Sequence, residues 1–300
     1  MPIFRFFSSC TFLGIAESSN CRSRSTFDDG TAQFKVEGRF AIGSRTDGDE
    51  EFNARFGFVS LPAQRVRDVF RLEGYHIDGP LTGIVHLFGQ YRRPFGFGGM
   101  TLASPVAYGE PFDWAEADLR FEGDGVRVDG FEARKGDGLV TGAALIRWNG
   151  TYSVNVDGRD LAIDSIAAVT DPRVTLAGRL QFTLVGVGEF ANPRYEMRGS
   201  IADLFVSNEI VGQVTGRADV RDGVLGLEVE AASSRLAISG SGRVDLMREA
   251  DAELLFRFTN TTLDPYVRVF VPDLPVETTA VVSGTLRFEG SLRDVEQLEV

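Results

Sequence analysis

Apolar and polar residues alternate along much of this chain, and one stretch shows the pattern most plainly: Leu176-Ala177-Gly178-Arg179-Leu180-Gln181-Phe182-Thr183-Leu184. A period of two sends successive side chains to opposite faces of a β-strand, so this stretch predicts a strand with one apolar and one polar face. The pattern recurs. Leu81-Thr82-Gly83-Ile84-Val85-His86-Leu87-Phe88-Gly89 precedes it and Val282-Ser283-Gly284-Thr285-Leu286-Arg287-Phe288-Glu289-Gly290 follows it. Their glycines Gly83, Gly178 and Gly284 lie 95 and 106 residues apart.

Other marks keep nearly the same step. Leu61, Leu161 and Leu263 are 100 and 102 residues apart, Gly125 and Gly223 are 98 apart, and so are Gly142 and Gly240. Agreement among independent marks identifies a repeated structural unit of about a hundred residues. Each unit is expected to close with a short amphipathic helix, from the spacing of Val66, Val69 and Phe70, of Ile163 and Ile166, and from the run Tyr266 to Phe270. The expected organisation is the end of one repeat (28–70), two full repeats (71–170 and 171–271) and the start of another (272–300). Residues 1–27, serine- and arginine-rich with both cysteines, Cys10 and Cys21, read as an atypical tail or a weak signal segment.

Tight-turn pairs such as Gly123-Asp124-Gly125, Asn149-Gly150 and Asp222-Gly223 join adjacent runs, which implies an antiparallel meander. A sheet that keeps adding strands accumulates twist and leaves an apolar face to cover. The expected fold is therefore all-β: an elongated, antiparallel repeating sheet curled into an open groove, with short helices between repeats.

Composition narrows the function. The net charge is −12 with a sequence pI near 4.8, and basic residues pair only at Arg92-Arg93 and Arg134-Lys135, which opposes a nucleic-acid partner. Two cysteines and two histidines, His76 and His86, leave no paired-cysteine metal site and little for a catalytic triad. Asp118, Glu122, Asp124 and Asp129 gather around a turn but match no calcium-loop spacing and read as a solvated strand edge. Gly96-Phe97-Gly98-Gly99 and Gly186-Val187-Gly188 open no helix after a strand, so neither reads as a phosphate cradle. No cofactor and no enzymatic activity are expected.

A roughly hundred-residue β repeat that opens with Gly-x-Leu-x-Phe, as at Gly178-Arg179-Leu180-Gln181-Phe182 and Gly284-Thr285-Leu286-Arg287-Phe288, resembles the TamB and AsmA-like bacterial envelope proteins. The resemblance covers about residues 31–300. It implies a β-groove that conducts phospholipid acyl chains across the periplasm from an inner-membrane anchor, with an outer-membrane assembly barrel as a protein partner. Neither that family's membrane helix nor its C-terminal module is recognisable here, so the chain is expected to be a mid-groove piece of a longer protein.

The residues expected to line the apolar face are Leu119, Phe121, Val126, Val128, Phe182, Leu184, Leu225, Leu227, Val229, Leu236, Ile238, Phe256 and Phe258. Two readings of that face stay open: a surface for acyl chains, or a scaffold rod filled by its own side chains.

Overall fold

The computed structural model describes residues 5–13, 18–28, 30–43, 51–70, 76–169, 174–207, 209–233, 236–246, 251–262 and 281–291. The chain is all-β, its strands pair antiparallel, and it divides into two compact units, residues 1–135 with 140–150 and residues 136–139 with 151–300. This division does not coincide with the repeat boundaries read from the sequence.

The first unit contains β1 (Arg5–Leu13), β2 (Ser18–Asp28), β3 (Gln33–Gly43), β4 (Glu51–Pro62), helix α1 (Ala63–Phe70), β5 (Ile77–Asp78), β6 (Pro80–Gln90) and β7 (Arg93–Ala103). It continues with β8 (Val106–Ala107), β9 (Glu110–Pro111), β10 (Trp114–Glu122), β11 (Gly125–Lys135) and most of β12 (Gly138–Arg147). The pairing runs β1-β2-β3-β4-β6-β7-β10-β11, while β5, β8 and β9 form a small separate sheet. Residues 1–27 are thus mostly strand rather than a tail: β2 pairs residue for residue with β3 from Ser18↔Gly43 to Asp28↔Gln33. A ladder depends on backbone groups and an available neighbour, and a serine-rich composition announces neither.

In the second unit, β13 (Thr151–Ala162), β14 (Leu176–Glu189), β15 (Tyr195–Val206), β16 (Glu209–Arg221), β17 (Val224–Ala232), β18 (Ala237–Asp245), β19 (Asp251–Thr262) and β20 (Val281–Ser291) each pair with the next. Among the described residues no pairing returns β20 to β13, so the sheet is open rather than a barrel. At Asp222-Gly223 both residues have positive φ, 52° and 76°, the left-handed pair that lets β16 turn directly into β17.

The hundred-residue step is also written in the backbone. Ser60, Asp160 and Asn260 have φ of 50°, 53° and 45°, each inside a bulge near the end of its strand: Phe58/Leu61, Gly158/Leu161 and Phe258/Thr261. Thr82 Oγ1 accepts a hydrogen bond from Ser60 N (3.0 Å), and Ser283 Oγ accepts one from Asn260 N (2.9 Å). The register shifts two of the sequence equivalences. Gly83 pairs with Phe58, Phe182 with Gly158 and Gly284 with Phe258, so Phe182, not Gly178, stands in the place of Gly83. Likewise Thr261 takes the place of Leu61 and Leu161, while Leu263 lies outside the described residues. A displacement by an even number of residues keeps the alternation intact, which is why pattern alone mislaid the match.

Helix α1 forms where Val66 was expected to mark one. At the second position the described residues make two 3-10 turns, Ile163–Ser165 and Ala167–Val169, and Tyr266 to Phe270 lie outside the described residues. No helix among the described residues is long and apolar enough to cross a membrane.

Candidate functional site

Register and alternation together sort the side chains of each unit onto two faces. In the first unit, Phe34, Val36 and Phe40 of β3 stand opposite Phe58, Phe56 and Phe52 of β4. The row through Phe56 continues to Val85 and Gly98, and then to Leu119 and Val128. Phe121 pairs with Gly96 on one side and Val126 on the other. All four sequence-nominated residues of this unit, Leu119, Phe121, Val126 and Val128, therefore share one apolar face, and all are half-buried. The buried centre of that face is Phe58, Leu81 and Val85; Phe121 packs at its margin and Val66 of α1 packs on it.

The second unit repeats the arrangement over more strands. Phe182 pairs with Gly158 and Gly199, Gly199 with Gly216, Gly216 with Val229, Val229 with Gly240, Gly240 with Phe256 and Phe256 with Leu286. Neighbouring rows carry Leu184, Met197, Ala218, Leu227, Gly242 and Leu254, and Ile201, Val214, Ala231, Ile238 and Phe258. Leu225 pairs between Val220 and Val244. Every position of these rows is apolar or glycine, and the polar residues fall on the other face.

Several of the glycines seat a large neighbour. A Cβ at Gly158 would collide with the Phe182 ring; at Gly186 it would come within 2.6 Å of the Tyr195 ring and at Gly240 within 2.8 Å of the Phe256 ring. Large side chains lie down across glycines of the next strand, which keeps the apolar face low. Gly216 differs, because its only neighbour at that position would be Glu228 O at 3.6 Å.

Burial separates the nominated residues. Phe182, Leu184, Leu225, Leu227, Val229, Ile238, Phe256 and Phe258 are all half-buried. Leu236 is the exception. It is 4% exposed and packs with Val211 and Val214 just ahead of β18, so it anchors a local core and presents no surface.

The polar faces carry the charges. In the second unit Arg221 reaches Glu196 at 2.7 Å and Arg287 reaches Glu253 at 2.7 Å. In the first unit the acidic cluster is mostly neutralised by arginines: Arg127 donates to Glu122 through Nε (2.9 Å) and Nη2 (3.2 Å), Arg147 bonds Asp124, and Arg120 lies 4.0 Å from Asp129. The hydrogen bonds from Arg127 hold the Glu122 carboxyl below its usual range. No group of three or more potential metal ligands occurs among the described residues.

His86 Nε2 lies 2.8 Å from Asn53 Oδ1 on the polar face. Arg92 and Arg93 stand at the β6–β7 turn beside Tyr91, which stacks on Phe52 at 4.8 Å. Gly96 and Gly98 sit inside β7, where a Cβ would strike the backbone of His86 and Ile84 on β6. They serve sheet packing.

No known protein-family model matches this chain, and neither do any curated protein or solved structure.

Proposed function

We propose that the chain is a segment of a non-enzymatic envelope protein whose apolar sheet face carries phospholipid acyl chains between the inner and outer membranes, curling into a groove to do so. The supporting observation is the second unit's apolar face, where Phe182, Leu184, Leu227, Val229, Phe256 and Phe258 stay half-exposed with no second layer described over them, although Val214 of the same face is buried. A single-layer sheet with one apolar face is unstable toward water unless something covers it. Hydrocarbon is a fitting cover, because each methylene removed from water contributes about 0.8 kcal/mol without any polar contact. The run from Leu180 to Gly188 along β14 spans about 26 Å at the strand rise, long enough for an acyl chain to lie along it.

Native mass spectrometry of the purified chain followed by lipid extraction tests this reading. Copurifying phospholipid is expected, and Leu227→Glu should release it while the far-ultraviolet circular dichroism keeps its β signature. A folded, lipid-free chain that also ignores an apolar dye would overturn the reading in favour of a rod filled by its own side chains.

A further inference from the structure

Between β7 and β10 the chain leaves the large sheet and comes back. Ala103 and Trp114 pair directly, so residues 104–113 form an insert that the ladder beneath does not need. The insert departs at Ser104, whose φ of 45° is left-handed, and Ser104 N donates to Asp113 O at 2.8 Å to close its base. Its strands β8 and β9 pair with each other and with β5 in a sheet of their own. In the second unit β15 passes to β16 through a tight turn, with Val206 opposite Glu209.

The insert is tied to the apolar side of the first unit. A row of that face, Leu81, Leu102, Ala115 and Ala133, crosses β6, β7, β10 and β11. Lys135 follows Ala133 by two residues, so its side chain leaves the sheet on the same side. There Lys135 Nζ donates to Pro111 O at 2.6 Å, pairs with Glu110 Oε1 at 2.6 Å and stands 5.7 Å from the centre of the Phe112 ring. All three partners belong to the insert, and Lys135 is 8% exposed. Two residues beyond Met100 and Gly199, the partners of Gly83 and Phe182, Leu102 pairs with Ala115 and Ile201 with Val214, so Ala115 and Val214 hold equivalent places. Val211 and Leu236 pack with Val214. The same end of the repeat is thus sealed by hydrocarbon in the second unit and by a pinned insert in the first.

Little apolar burial holds the insert itself. Within residues 104–113 only Pro105 is buried, and Val106 and Tyr108 are 38% and 65% exposed. Segments with few buried apolar contacts open at lower free energy than the sheet they rest on. Removing one partner of a buried ion pair strands the other without compensation, which makes such a pair a sensitive fastening.

We infer that residues 104–113 are a strap that closes this end of the first unit's apolar face and opens separately from the sheet, with the Lys135–Glu110 pair as its latch. Opening is expected to bare Ala115 and Ala133, which are 8% and 2% exposed in the closed form. On the acyl-chain reading the bared row joins the hydrocarbon surface; that consequence rests on the reading, whereas the latch does not.

Site-resolved native-state hydrogen exchange of Lys135→Met and Glu110→Gln is the test. Tyr108 N donates to His76 O at 2.7 Å and Asp113 N to Arg134 O at 2.8 Å, and both acceptors lie outside the strap. These two amides are expected to exchange about tenfold faster in either variant, equivalent to 1.4 kcal/mol, while the ladder amides of β6 and β7 keep their wild-type rates. Unchanged exchange at Tyr108 and Asp113 in both variants would overturn the inference. An equal rise throughout β6 and β7, or loss of folding in both variants, would overturn it too by making the pair part of the common core. A lipid-free wild-type chain would remove the acyl-chain consequence and leave the exchange result standing.

Discussion

In the first unit the apolar face condenses on Phe58, Leu81 and Val85, with Val66 of a helix packed on it, whereas in the second unit Phe182, Leu227, Val229 and Phe256 remain half-exposed. The second unit has its own buried cluster, Val211, Val214 and Leu236, which includes Val214 of that face and has Val229 and Ile238 packed against it. The strand ends differ in form: after β4 the chain makes α1, whose Val66 packs on the sheet, and after β13 the described residues make two 3-10 turns, the first of which buries Ile163. One repeat pattern thus places a small buried cluster in each unit and leaves Phe182, Leu227 and Phe256 of the second half-exposed around it.

Truncation within each face should separate them most widely. Leu81→Ala removes a side chain that is 6% exposed and is expected to cost about 2–5 kcal/mol. Leu227→Ala, at a half-exposed position, should cost about 1 kcal/mol, since little of its surface leaves water on folding. Urea unfolding of both variants measures this, and equal losses would mean that the second face is as well covered as the first.

Much of this fold was legible because alternation is a direct record of which side faces apolar surroundings. The strands through Phe182, Leu227 and Phe256 and the turn at Asp222-Gly223 follow from it, as does the shared face of Leu119, Phe121, Val126 and Val128. Depth of burial was not legible. Leu236 and Ile238 are two apolar residues of one strand region, yet tertiary packing buries the first and leaves the second partly open. Register was lost for a related reason: a period of two is blind to a shift of four, so Gly178, rather than Phe182, was matched to Gly83. The exposure of Phe95 and Phe97 on the first unit's polar face escaped notice because a glycine-rich strand masks its alternation.

Glycine substitutions sharpen the comparison within the second unit. Gly158→Ala drives Phe182 off its seat and is expected to cost about 1–3 kcal/mol through overpacking. Combining it with Phe182→Ala should recover part of that loss. At Gly216 a methyl meets only Glu228 O at 3.6 Å, so Gly216→Ala should be neutral or stabilise by about 0.4–1 kcal/mol through the unfolded chain. Thermal unfolding of the three variants reads the order, and a costly Gly216→Ala would show that this part of the face is already filled.

The three bulges permit a finer test. Leu61 and Leu161 fill their places with apolar surface, but Thr261 is fully buried and its Oγ1 accepts from Ala237 N at 3.2 Å while lying 3.2 Å from both Ala237 O and Thr259 O. Thr261→Val keeps the shape and removes the acceptor. It should cost about 1–2 kcal/mol, the penalty of an unpaired buried amide, with hydrogen exchange quickening at Ala237. Unchanged exchange there would mean that water or another acceptor serves the amide.

The smallest effect concerns the Glu122–Arg127 pair on the first unit's polar face; at the β16–β17 turn of the second unit the corresponding arginine, Arg221, reaches Glu196 and Asp219 instead. Because Arg127 holds the folded-state carboxyl of Glu122 below its unfolded range, the folded chain binds fewer protons in that window than the unfolded one. The pair's contribution is therefore complete above the ordinary carboxylate range and is lost as pH falls through the depressed folded value. Both groups are well hydrated, so the gain is slight. Comparing the acid side of the stability profile for the wild-type chain and Glu122→Gln isolates it: the two should converge at low pH and differ a little at neutral pH. A gap that widened on acidification would reverse the sign and mean that the protonated carboxyl, rather than the ion pair, stabilises the turn.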